Sequence, residues 1–545
     1  MGAPSTPPQP SKAGAESSQV TVTPKSVFIG FVLVALTSLV FFAQWHYGFT
    51  WSDEGLLWYG SQRTALGEVP LRDFFGYDPG RYYWTALVFK ALRGDGLFEQ
   101  IVANDLLGLI GLLACYFAMS WAGINRAWRT AILFVLAFML GFPRYKIYEQ
   151  TFSLFSAIGI TFLISNRTNP RRWLIFGVLA GLAAFVGRNL GVYFVAAAVL
   201  ALVLLRPANE EIHRGRFLAA FAAGAFLGYV PMLYMMGRVS GFAAALLQSF
   251  AVLNPQIPLP IPFPWDMNAV GLHGIDLLQG IAVSLLCLVV PIMYGYLILK
   301  WVTSTPCFEG AYRMACGASI AGLPYLHYAF SRPDFFHIAS GVLPFGLATG
   351  AFATHLWNLK KRGLSLALFL GFVALILACW LPMEPAISFL GIEARRPALV
   401  EKIDISGRSF EVPASQAQVM RAVRAAFQSC GCADGSFLAV PHYPGMYAFL
   451  KTRAPFWEVF YLFPRNDDFQ ARHIEAIIRN GTSLVLINPR ATVDGLDRLR
   501  IGKTYPKLLP YIQTHFARLQ TVPLPEGFEL YYIVDKCSKS LATVP

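Results

Sequence analysis

For its first 383 residues the chain alternates long apolar runs with short polar connections, and then it changes character. Apolar runs occur at Ser26 to Trp45, 98–121, 130–143, 151–165, 173–187, 189–206, 217–237, 276–299, 312–330, 336–357 and 364–381. Runs of this length and purity read as about eleven transmembrane helices. The first lacks a small-residue cleavage site and is long enough to span, so it reads as a retained helix and not a signal peptide. Between the first two runs lies a long loop, 47–97, punctuated by Gly67, Pro70, Gly76, Pro79 and Gly80.

From about Glu384 the apolar runs shorten and charges return. Gln416 to Phe427 places Val419, Val423 and Phe427 on one helical face, and Phe469–Arg479 and Lys507–Leu519 share that spacing. Short β-like runs lie between them: Phe437–Val440, Ser483–Ile487 and Glu529–Val534. The expected fold is a polytopic α-helical membrane protein with a C-terminal α/β domain. Its parts are a disordered tail at 1–26, a membrane domain at 27–383 and a soluble domain at 384–545. No internal repeat points to duplicated transporter halves.

Composition agrees: 55% of the 545 residues are hydrophobic and 14% charged, which excludes an ordinary soluble enzyme. The net charge of +13 does not imply nucleic acid, because much of it lies in short connections where it sets orientation. Arg126/Arg129, Arg167/Arg171/Arg172, Arg206/Arg214/Arg216, Lys300/Arg313 and Lys360/Lys361/Arg362 all fall on the side of the N-terminal tail. This predicts a multi-pass protein of the cell (inner) membrane, with the N-terminus cytoplasmic and the C-terminal domain extracytoplasmic, in the periplasm. Five of the eight cysteines sit in or beside apolar runs; Cys430, Cys432 and Cys537 lie in the C-terminal part, where one disulfide to Cys537 is compatible with an oxidising compartment.

The candidate chemistry gathers on the outer side. Trp51-Ser-Asp-Glu-Gly-Leu-Leu-Trp-Tyr-Gly60 puts adjacent carboxylates, Asp53 and Glu54, where the first helix leaves the bilayer. On the same side lie Arg81, Lys146, Glu149, Arg188, Arg332 and His337. Arg188 stands out, since an arginine at the bilayer centre costs about 2.5–3.5 kcal/mol and calls for a site or a partner. Glu149 has Arg144 and Lys146 as sequence neighbours for a simple ion pair, Arg332 has Asp334, and Asp73 and Asp78 carry turn chemistry. There is no P-loop, no Gly-x-Ser-x-Gly elbow and no Cys/His cluster with metal-ligand spacing.

An apolar first helix, the Ser52-Asp-Glu-Gly55 pair heading a large outer loop, many spans and an outer soluble domain together resemble the GT-C membrane glycosyltransferases. The likeness runs chiefly over 27–340 and leans toward bacterial relatives of the dolichyl-phosphate-mannose protein mannosyltransferases. It implies an inverting transfer of a sugar from a polyprenyl-phosphate donor to a glycan, lipid or protein acceptor at the outer membrane face. Asp53 would take the acceptor proton, and Glu54 would orient Asp53, the acceptor or a metal. Arg81, Lys146, Arg188, Arg332 and His337 would steady the leaving phosphate. Glu149 would be a second acid beside the acceptor or a metal. No cofactor is called for with certainty, and a divalent cation is compatible with these acids. The partners are then the lipid-linked donor, the acceptor and membrane lipids. A flippase or transporter of a lipid-linked saccharide is the competing reading.

Overall fold

The computed structural model describes residues 41–541, apart from 167–168, 205–213, 253–273, 304–308, 333, 386–387, 389–390, 392–395, 494 and 521–522. The N-terminal tail, most of the first apolar run and the Pro-rich stretch around Asn254 to Trp265 lie outside the described residues.

The loop after the first run folds into two helices, α1 (Asp53–Ala65) and α2 (Pro79–Leu92). Pro79 at the first position of α2 suits a helix start, where the missing N–H leaves nothing unpaired. The remaining apolar runs form α3 (Leu97–Trp121), α4 (Arg126–Gly141), α5 (Ile147–Ser165), α6 (Pro170–Val186), α7 (Arg188–Val203), α8 (Arg214–Arg238), α9 (Phe242–Val252), α10 (Ile275–Thr303), α11 (Gly310–Ser331), α12 (Phe335–Gly341), α13 (Leu343–Asn358) and α14 (Arg362–Trp380). Among the described residues five helices are long and apolar enough to cross a membrane alone, or six if the pair α12 and α13, bent by 53°, counts as one span. The other apolar runs form helices that fall short of this on length or hydropathy. Exposed Ile110, Phe134, Val192, Phe226, Ile292 and Leu370 present the apolar surface that lipid requires.

Glycines set the closest helix pair. Gly177 and Gly181 of α6 face Gly224 and Gly228 of α8, and a Cβ on any of them would strike the partner's backbone. This small-xxx-small packing lets two helices touch where lipid supplies no hydrophobic drive between them. α6 passes into α7 by way of one extended residue, Gly187.

The C-terminal part opens with a hairpin, β1 (Val400–Ile405) and β2 (Arg408–Pro413), turning on Ser406 and Gly407, both at positive φ. Next come α15 (Ala414–Ser429), β3 (Phe437–Val440), α16 (Pro444–Leu450), α17 (Asp467–Arg479), β4 (Leu484–Ile487), α18 (Leu508–His515), β5 (Ala517–Arg518) and β6 (Glu529–Tyr532). The four-stranded sheet runs β3-β4-β6-β5, with β3 and β4 parallel and the other pairs antiparallel. All eight residues of β3 and β4 are buried, which explains their unbroken hydrophobic runs. Gly481 follows α17 at positive φ, where a glycine ends a helix without strain. Cys430 and Cys537 form a disulfide.

This α/β part is docked on the 47–97 loop. Gly48 N donates to Glu411 O at 2.7 Å, Phe75 N to Trp457 O at 2.8 Å, Ala454 N to the Tyr59 hydroxyl at 3.0 Å and Gly445 N to Trp51 O at 3.0 Å. The tightest contact joins two glycines: a Cβ on Gly55 would lie 2.5 Å from Gly445 N.

Candidate active site

Where the loop, the ends of α5, α7 and α11, and the α/β part meet, they enclose a cavity of about 800 Å³. Asp53 lines it from the first turn of α1. Its carboxylate accepts only two long hydrogen bonds, from Ser52 Oγ and from the Tyr77 hydroxyl, each 3.5 Å. Bonds of that length leave most of its acceptor capacity for a ligand. Burial, and then the Asp53 charge, raise the Tyr77 pKa above its ordinary value, so that phenol stays protonated and donates.

Arg81 lines the same cavity. The residue is 5% exposed, its guanidinium is 2.8 Å from Glu149 Oε1, and its Nε donates to Val186 O at 2.9 Å. It lies over the Tyr77 ring at 4.7 Å, a cation–π contact that links Asp53, Tyr77 and Arg81 in one stack. Two glycines make room. A Cβ on Gly80 would come within 2.9 Å of Val186 Cα, and one on Gly187 within 2.9 Å of Arg81 Nη2.

Arg188 starts α7 and meets the Asp78 carboxylate three ways: backbone N at 2.7 Å, Nε at 3.0 Å and Nη2 at 2.9 Å. Nη2 also donates to Ser249 Oγ at 3.0 Å, while Nη1 is buried without a hydrogen-bond partner among the described residues. Arg332, after α11, completes the cationic wall.

Three sequence-level candidates lie elsewhere. Glu54 is not on the cavity: it is 5% exposed, and its carboxylate takes Arg144 Nε at 2.9 Å and the backbone N of Thr50 at 2.8 Å. A buried charge of this kind needs a full partner, and Arg144 supplies it. The expected helper of Asp53 thus ties the start of α1 to the start of α5. Lys146 donates to the Tyr328 hydroxyl at 3.2 Å, and His337 pairs with Asp334 at 2.8 Å and stacks on Tyr328 at 5.6 Å. Tyr328 lines the cavity, so Lys146 and His337 stand behind it.

The ion pairs also differ from the sequence expectation. Glu149 pairs with Arg81 and not with its neighbours Arg144 and Lys146, and Asp78 holds Arg188 in addition to preceding a helix. Among the described residues no three His, Cys, Asp or Glu side chains converge as a cation site; Glu54 is held by Arg144, and one oxygen of Glu149 by Arg81.

From the sequence, Asp78 reads as a turn residue, Tyr77 and Tyr328 carry no assigned role, and Pro441-His-Tyr-Pro-Gly445 reads as core, with stacking on a sugar as the alternative. Asp78, Tyr77, Tyr328, His442 and Tyr443 all line the cavity. The aromatic clustering around Tyr77 was the only local signal; the others depend on contacts across long separations.

No family model matches this chain, and no curated protein does. Solved structures do. ArnT from Cupriavidus metallidurans bound to undecaprenyl phosphate aligns with a TM-score of 0.53 at 13% identity, covering 94% of this chain and 98% of that one. The same protein in the apo state gives 0.50 at 13% identity, covering 93% and 98%. The apo oligosaccharyltransferase of Archaeoglobus fulgidus gives 0.49 at 11% identity, covering 91% and 75%. Identity this low bears on fold and leaves function to the site. The two ArnT alignments run through both the helical bundle and the α/β part, and the chain is accordingly a multi-pass membrane protein with the GT-C fold.

Proposed function

We propose that this chain is an inverting glycosyltransferase that moves a sugar from a polyprenyl-phosphate donor to a hydroxyl acceptor. The observation that carries the reading is that Asp53, a carboxylate with no cationic partner among the described residues, shares one cavity with Arg81, Arg188 and Arg332. The acceptor oxygen attacks the anomeric carbon as the bond from that carbon to the phosphate oxygen breaks. The acceptor proton passes to Asp53, and the phosphate leaves with the bonding electrons. Arginines placed before the reaction stabilise the negative charge as it grows on the leaving oxygen. A single displacement inverts the anomeric centre. Lys146 and His337 act on this site through Tyr328. The undecaprenyl phosphate bound by the ArnT structure supports a lipid-phosphate donor for this chain as well. Basic loops on the opposite side and the Cys430–Cys537 bridge support placing the cavity on the outer, oxidising face.

Asp53→Asn in nanodisc-embedded full-length protein is expected to abolish transfer from a polyprenyl-phosphate-linked sugar while keeping the wild-type Tm. Undiminished turnover in that variant rules the reading out.

A further inference from the structure

Several buried polar groups on the cavity wall lack a well-formed hydrogen bond among the described residues: Arg188 Nη1, Glu149 Oε2, Trp51 Nε1 and the ring of His442, which has only an approach to the Pro441 backbone. Buried polar groups are nearly always paired, so a cluster of orphans in one cavity points to a ligand. The first two belong to the ionic wall. The other two belong to a different environment: Trp51 is 9% exposed and His442 6%, and aromatic rings surround them. Trp51, Tyr443 and Phe528 contact one another at centroid distances of 5.5, 5.7 and 5.6 Å, and His442 lies 4.9 Å from Phe460.

The chemistry offered there carries no charge. An indole N–H only donates, and an imidazole kept neutral offers one donor and one acceptor. Burial pushes the His442 pKa down to about 4 and so keeps it neutral. Aromatic faces accept the C–H faces of a sugar ring, while the nitrogens pair with its hydroxyls. Asp53 sits between the two walls, two residues after Trp51 and in contact with Tyr77, whose ring carries Arg81.

We propose that Trp51 and His442, on a floor of Tyr443, Phe528 and Phe460, form an acceptor subsite for an uncharged sugar ring. The proposal rests on the transferase reading for the word acceptor; binding of the ring stands on the subsite alone.

Full-length protein in nanodiscs is titrated with methyl glycosides of the neutral hexoses and pentoses and followed by saturation-transfer NMR. At least one probe is expected to bind, with His442→Phe weakening it about ten-fold and His442→Gln, which keeps a donor and an acceptor, regaining most of that. If His442→Phe does not fold, Trp51→Phe carries the same expectation. Probe binding is read without donor and without turnover, so a failure of the transfer assignment leaves this result readable on its own. Undecaprenyl phosphate bound beforehand is expected to leave probe affinity unchanged, and competition between them overturns the acceptor assignment. No binding of any glycoside to wild type, or equal affinity in a folded His442→Phe protein, overturns the subsite.

Discussion

Arg188 Nη2 lies 2.9 Å from Asp78 Oδ1, joining residues 110 positions apart in the sequence. The pair fixes the start of α7 to the start of α2, and it leaves Nη1 of the same guanidinium buried and without a hydrogen-bond partner among the described residues. Its two ends therefore have separable duties.

Arg188→Ala is expected to weaken undecaprenyl phosphate binding at least about ten-fold, since it removes a charge-assisted donor. Asp78→Asn removes only the anchor, so binding is expected to fall less while thermal stability falls. Calorimetric titration in nanodiscs checks this, and equal loss of affinity in both variants would make Arg188 purely structural.

Glu54 and Arg144 form the buried pair behind the site, with side chains 6% and 4% exposed. Removing one partner of such a pair costs about 3–5 kcal/mol. Glu54→Gln should accordingly lower the Tm of detergent-purified protein, and Asp53→Asn should not. A Glu54→Gln protein with wild-type stability and no transfer would return Glu54 to the chemistry.

Gly55→Ala places its new methyl against the backbone of Gly445, where no side chain can swing aside, whereas Gly445→Ala meets nothing closer than 3.1 Å. Overpacking of the first kind costs about 1–3 kcal/mol. Limited proteolysis is expected to cut between 384 and 545 faster in Gly55→Ala than in Gly445→Ala. The reverse order would refute the contact.

His473 is buried between Phe456 and Tyr461, and burial pushes its pKa down to about 3, against an ordinary value near 6.5. Because the folded value is the lower one, the unfolded chain takes up the proton first. The stability His473 permits is complete above about pH 6.5 and falls by about 1.4 kcal/mol for each pH unit below it, down to about pH 3. Relative to His473→Phe, wild type should lose stability on acidification from pH 7 to pH 5. A pH-independent difference in Tm between the two would show that the histidine is solvated.

Helix positions, the long acidic loop and the alternating C-terminal part were legible because apolar periodicity is local. The place of Asp53 at the head of the loop was legible because it lies a few residues after the first apolar run. The ion pairs were not. Glu149 has Lys146 three residues before it, yet it pairs with Arg81, and Arg144 reaches back across 90 residues to Glu54. Which carboxylate stays available to a substrate is decided by these long-range pairings, and no spacing rule reports them. His442 was hidden for the same reason: whether Pro441-His-Tyr-Pro-Gly445 faces a core or a cavity depends on Gly445 meeting Gly55.

The Cys430–Cys537 bridge closes a ring over a sequence separation of 107 that contains His442, Tyr443, Phe460 and Phe528. That ring cannot be sealed until Cys537 has been synthesised and oxidised. The aromatic wall of the cavity is therefore covalently secured only after α1 to α14 have been made. Closure of the cavity wall becomes a redox-gated step of biogenesis, and a chain held in a reducing compartment retains the ionic wall without a locked counterpart.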